Sequence, residues 1–251
     1  MRSKVPAVTL AFWIIKICAT TAGETGGDAL SMSLGLGYAV STFIFLGVLI
    51  ALLAAQIRSR SYHPFLYWGV IVATTTTGTT ISDYLDRTAG LGYPRSSLLL
   101  LGAVLAVLAA WRFTTGSVSV SAITTRPAEI FYWTAILFSN TLGTALGDFV
   151  SDSSGLGFDG GALVFGAALA LIAAAYFFTT VSRAWLFWAA FVMTRPLGAT
   201  LGDLLTKPRA EGGLEWSRVV SSLVIAAAIV LLVALTDRGA EQGPAKIEPA
   251  T

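Results

Sequence analysis

Along the chain, four uninterrupted apolar segments, Tyr38 to Ile57, Ser97 to Trp111, Ala162 to Phe178 and Val219 to Leu235, alternate with four segments that start apolar and turn polar. The first set has the length and lack of charge of membrane-spanning helices. In the second set the change is abrupt: FLYWGVIVA, 65 to 73, runs straight into TTTTGTTISDYLDR, 74 to 87. Eight helices are expected, four apolar throughout and four with a polar second half.

The pattern is a repeat. Trp13, Trp68, Trp133 and Trp188 are each followed ten residues on by a glycine (Gly23, Gly78, Gly143, Gly198) and fifteen on by an aspartate (Asp28, Asp83, Asp148, Asp203). The motif GLGY recurs at 35 to 38 and 90 to 93 and becomes GLGF at 155 to 158, whereas the fourth copy departs with KPRAEGGLEW. Each copy reads as a helix, a glycine-rich turn and a second, more apolar helix, so four helical hairpins are expected. The copies are bounded at 5–57, 62–113, 127–181 and 183–236, followed by a disordered cytoplasmic tail over 239–251. Tryptophan intervals of 55, 65 and 55 residues pair copy one with two and three with four.

This layout resembles a family of bacterial multi-pass membrane proteins built from four tandem copies of a two-helix repeat of unknown function. The resemblance covers residues 5 to 236. It implies an architecture and brings no activity, substrate or cofactor.

Composition agrees with a membrane protein: 55% of residues are hydrophobic, only 12% are charged and the mean hydropathy is +0.75, against about a quarter charged in soluble domains. The side holding the repeat starts and both termini carries nine basic residues and the turn side five. The positive-inside rule then places both termini in the cytoplasm, and the expected location is the cell inner membrane. The segment 2–22 belongs to the first repeat and is expected to stay as a helix rather than act as a cleaved leader. The lone Cys18 offers no internal disulfide, and the lone His63 lacks the clustered partners of a metal site.

Helical periodicity sorts the polar residues. Positions seven, eleven, fifteen and eighteen after each tryptophan share one face. They read Thr20, Glu24, Asp28, Ser31; Thr75, Thr79, Asp83, Asp86; Asn140, Thr144, Asp148, Ser151; and Arg195, Ala199, Asp203, Thr206. In the first copy the stripe extends back to Lys16. Small pairs at positions ten and fourteen, such as Gly23 and Gly27, lie beside the stripe and suit close helix contact. An all-α bundle follows, with the odd-numbered helices as an inner ring and the even-numbered helices outside facing lipid. The tryptophans are expected as interfacial anchors and Asp86, Asp152, Asp159, Glu211 and Glu215 as solvated loop charges.

Charge inside a membrane marks a candidate site. Lys16, Glu24 and Arg195 lie on the stripes, with Arg195 across the ring as the natural salt-bridge partner of Glu24, and Asn140 completes the polar core. Glu24, Asp28, Asp83, Asp148, Asp203, Thr79 and Thr144 are the candidate substrate- or ion-binding set, and the four aspartates a candidate site for a hard metal cation. The four aspartates have a structural reading too, as groups held by turns or salt bridges. The expected partners are the lipid bilayer and a small cation or small solute. No nucleic-acid partner is expected at a dispersed net charge of +2. No cofactor and no enzyme activity are expected, since no catalytic motif is found. The two functional readings are a transporter using a central polar path, and a structural or pH- or ion-sensing membrane protein.

Overall fold

A computed structural model describes residues 4–120, 123 and 125–241, with side chains described to residue 237. The described residues form eight helices and no strand: α1 (Leu10–Asp28), α2 (Gly37–Arg58), α3 (Pro64–Asp83), α4 (Tyr93–Thr115), α5 (Arg126–Asp148), α6 (Gly157–Phe178), α7 (Arg183–Thr206) and α8 (Arg218–Glu241). Helix α8 runs three residues into the expected tail, and 242–251 lie outside the described residues. The helix starts follow local chemistry. Thr9 and Thr125 accept hydrogen bonds from the backbone N–H groups of Phe12 and Ala128, and Pro64 opens α3 where no N–H is needed. His63 precedes it with its ring beside the Ser61 hydroxyl.

At the turn side, α1, α3 and α5 each pass from their aspartate into one five-residue π-helical turn. The GLG triplets follow. Both of their glycines have positive φ in every copy, 68° and 74° at Gly35 and Gly37, a backbone that a side chain rarely adopts. The motif is therefore a shaped linker. The fourth copy instead uses a loop with a 3₁₀ turn at Arg209–Glu211.

Helices α2, α4 and α6, with α8 over Arg218–Asp237, are long and apolar enough to cross a membrane. Packing between helices runs α1 to α3, α3 to α5, α5 to α7 and α7 back to α1. Each apolar helix lies on an odd-numbered helix of the next copy: α2 on α3, α4 on α5, α6 on α7 and α8 on α1. This differs from four self-contained hairpins. The GLG linkers of the first three copies, and the different loop of the fourth, carry the chain one place round, so the repeats interlock.

Glycine explains the closeness of the odd-numbered helices. A Cβ on Gly23 would strike Thr75, on Gly78 Asn140 and the Thr141 backbone, on Gly143 Arg195 and Pro196, and on Gly198 Thr20. In each case the glycine ten after the tryptophan receives the residue seven after the tryptophan of the next copy. Threonine then needs no water: Thr74, Thr76, Thr77 and Thr80 bond carbonyls of their own helix, while Thr75 and Thr79 donate to Ala19 and Gly23 on α1.

The tryptophans, expected as interfacial anchors, pack against one another. Trp68, Trp133 and Trp188 are buried and Trp13 is half-buried. With Phe12, Tyr67, Tyr132 and Phe187, the residues immediately before them, they form one aromatic cluster in which neighbouring rings lie 5.0 to 6.2 Å apart. The Tyr67 and Tyr132 hydroxyls meet at 2.6 Å inside it. Rings packed edge to face in this way contribute beyond their buried area.

Candidate functional site

Between the aromatic cluster and the turn side, the polar stripes of α1, α3, α5 and α7 meet in three successive levels. At the first, Lys16 is fully buried. Its ammonium donates to Asn140 Oδ1 at 3.2 Å and stands 4.2 Å from the centre of the Phe191 ring. Asn140 Nδ2 in turn donates to Thr74 Oγ1 at 3.0 Å. In the packing cycle α1 and α5 are not neighbours, so the Lys16–Asn140 bond crosses the axis.

At the second level Arg195, also fully buried, reaches from α7. Its Nη2 lies 2.7 Å from Glu24 Oε2, 2.5 Å from the Thr79 hydroxyl and 2.6 Å from the Thr144 hydroxyl. One guanidinium thus touches the other three odd-numbered helices, and its contact with Thr79 on α3 again crosses the axis. Glu24 on α1 is a neighbour of Arg195, not a partner from across the ring as its place in the repeat suggests. The Nε and Nη1 atoms of Arg195 find no hydrogen-bond partner.

The third level holds the four aspartates, all about 2% exposed or less. They do not form an open carboxylate ring. Arg87 joins two of them, with Nε 3.2 Å from Asp83 and Nη2 3.2 Å from Asp148. Lys207 joins the others, 3.3 Å from Asp203 and 3.7 Å from Asp28, and Arg218 stands 3.5 Å from Asp28. Burial pulls the Lys207 ammonium down, but the Asp203 and Asp28 carboxylates outweigh it and leave its pKa raised. The Arg87 guanidinium is raised in the same way by Asp83 and Asp148. Helix-end aspartates oppose the macrodipole, and these basic side chains supply the compensation. Glu24, Asp28 and Asp203 also bring carboxylate oxygens within 4.8 Å of one another, a donor set of the type that holds hard cations.

Arg87 and Lys207 were readable only as turn-side charges. Their signal was in the repeat: both lie nineteen residues after a tryptophan, one helical turn beyond the aspartate, where copies one and three carry Met32 and Asp152. Asp86 also departs from expectation. It is buried, accepting hydrogen bonds from Ser82 at 3.2 Å and from Ser96, whereas Asp152, Asp159, Glu211 and Glu215 are exposed. Burial raises the Asp86 pKa, and the two serine hydroxyls and Arg87 moderate the rise.

No curated protein and no solved structure matches the chain. A family model described as Repeat of Unknown Function (DUF347) matches four consecutive stretches, residues 11–62, 66–117, 131–182 and 186–238, and the chain belongs to that family.

Proposed function

We propose that the protein is a multi-pass transporter of a small cation or small solute, in a closed conformation. All eight helices cross the membrane, termini cytoplasmic, in the cell inner membrane, with the odd-numbered helices around a central path. One observation carries this reading: Lys16, Glu24, Arg195 and the four aspartates form a buried ionisable column on a shared helix face. Ionisable groups are expensive at such depth, and packing alone does not require them. The hydrogen bonds across the axis and the aromatic cluster close the column in this conformation. Copies one and two form one half and copies three and four the other. The bridges Asp83–Arg87–Asp148 and Asp203–Lys207–Asp28 each join a helix of one half to a helix of the other. Rocking of the halves opens the turn side by breaking these bridges, with no catalytic step involved.

A second reading has its own support. Each of the five carboxylates Glu24, Asp28, Asp83, Asp148 and Asp203 lies within 4.0 Å of a basic side chain, Arg87, Arg195, Lys207 or Arg218. A set paired in this way needs no external ion and suits a structural lock. Flux separates the two. Purified protein in liposomes is assayed with ion-reporting dyes for H⁺, Na⁺, K⁺, Mg²⁺, Ca²⁺ and Mn²⁺ under an imposed gradient, beside a Glu24→Gln variant. The transport reading expects flux of at least one ion that Glu24→Gln abolishes. Liposomes that leak no more than protein-free ones, or equally with the variant, favour the lock.

A further inference from the structure

A groove of about 150 Å³ runs between α2 and α5 at the end of the molecule opposite the aspartates. Its walls are Leu49, Leu53, Ile57, Ile130, Trp133 and Leu137, with Thr134 the one polar side chain. Helix α2 is among the membrane-crossing candidates and Ile130 is half exposed, so the groove faces the bilayer.

Lys4 donates to the carbonyls of Gln56 and Ile57 at 3.4 and 3.1 Å and to Glu129 at 2.8 Å, tying the end of α2 to the first turn of α5. Around this knot three buried side chains hold polar atoms without a hydrogen-bond partner: Nε2 and Oε1 of Gln56, Oε1 of Glu129 and Nε1 of Trp133. Gln56 is 1% exposed and Trp133 4%. Buried polar atoms without partners are few in native proteins and point to a missing partner. The other copies do not repeat the feature: the positions matching Gln56 are Trp111, Tyr176 and Leu231, and those matching Glu129 are Thr9, Pro64 and Ala184.

The rim has a sign. Arg58 ends α2, Arg60 follows it and Arg126 opens α5 one turn before Ile130, all exposed. Lys4, which Glu129 already holds, adds a fourth cation at this end. An apolar slot open to lipid, an unpartnered indole N–H in its wall and a basic rim above fit one occupant. We propose that the α2–α5 groove binds an anionic phospholipid of the surrounding bilayer. One acyl chain lies along Leu49, Leu53 and Leu137, the phosphate faces Arg58 and Arg126, and the indole N–H of Trp133, whose ring lines the slot, reaches an ester oxygen. This site is independent of the transport reading, since it stands on the outer surface and on residues outside the column.

The test uses the full chain purified in a neutral detergent. Its thermal unfolding is followed with added phosphatidylglycerol or phosphatidylcholine, and the lipids retained are identified by native mass spectrometry. The expected result is a concentration-dependent rise in midpoint with phosphatidylglycerol alone. Leu53→Trp, which fills the slot and leaves the rim, removes it. Arg58→Ala with Arg126→Ala, exposed positions that leave the fold intact, weakens phosphatidylglycerol binding by roughly 30-fold. An equal rise with phosphatidylcholine, or a rise that survives both variants, overturns the proposal.

Discussion

Glu24 and Arg195 show how much a single buried residue decides here. Their pair at 2.7 Å is essentially solvent-free, and the same guanidinium nitrogen, with two N–H groups, is shared with two threonine hydroxyls. Removing one member of such a pair strands a charge, at a cost of about 3–5 kcal/mol, whereas replacing both by apolar groups is close to neutral. Glu24→Gln is therefore expected to lower stability by about that amount, and Glu24→Gln combined with Arg195→Met to recover much of it. Reversible unfolding in mixed detergent measures both. A double variant no more stable than its parents would show that the threonine contacts to Arg195, not its charge pairing, hold the core. Protonation is a separate matter at the turn. The pKa of Asp86 is raised, so its neutral form is favoured in the fold, and its contribution is full below the usual aspartate value and lost as pH rises through the raised one. Asp86→Asn is expected to raise the unfolding midpoint at neutral pH and to leave it unchanged in acid, read by thermal scans across pH.

For the helices, the glycines make the sharpest distinction. A Cβ at Gly78 would lie 2.9 Å from the Thr141 backbone nitrogen and 3.1 Å from the Asn140 carbonyl carbon, atoms that cannot step aside without moving α5. At Gly26 the nearest atoms are 3.9 Å away. Gly78→Ala is expected to cost about 1–3 kcal/mol through overpacking, and Gly26→Ala to be neutral or slightly stabilising as a helix substitution. Thermal unfolding of the two variants side by side checks this. These contacts also show why some of the structure was legible in the sequence and some was not. The polar stripes and the small positions beside them were legible because a four-fold repeat shows the same helix face four times. The partner of each apolar helix was not: GLG permits either a return onto the same copy or a step to the next, and only packing chooses. The mutual packing of the tryptophans was not legible because membrane interfaces and buried aromatic clusters both favour this residue. The telling sign was the aromatic that precedes every one, Phe12, Tyr67, Tyr132 and Phe187. For the aspartates, the spacing located the four acids but not the reach of Arg87 and Lys207, which depends on how closely adjoining helices approach.

At the level of the whole molecule, the two ionic bridges are alike in position and unlike in chemistry. Both join the halves on the turn side, but Arg87 is planar and permanently charged, while Lys207 is a compact ammonium that loses its proton more readily. The raised pKa of Lys207 fixes the sign of its pH response. Its contribution is fully present below the ordinary lysine value of about 10.4 and is lost only as pH climbs through the raised value. The Lys207 ammonium therefore stays charged throughout the neutral and mildly alkaline range, and its own titration does not open the bridge there. Mutation should. In a chain with Cys18 replaced by alanine and Thr144 by cysteine, the probe thiol lies one helical turn inside Asp148, where the native threonine is fully buried. Reaction with a membrane-impermeant maleimide is expected to be slow with both bridges intact and unchanged from pH 7 to 9 once thiol ionisation is allowed for. With Arg87→Met and Lys207→Met together, labelling should accelerate by about tenfold or more, because Asp83, Asp148 and Asp203 then lose their basic partners and nothing ties the seams, while Asp28 keeps only Arg218. Lys207→Arg should stay slow, since a guanidinium keeps the charge and adds a fork. If labelling in the double methionine variant is as slow as in its parent, the bridges hold no gate, and the column is a lock that the helix contacts keep closed without them.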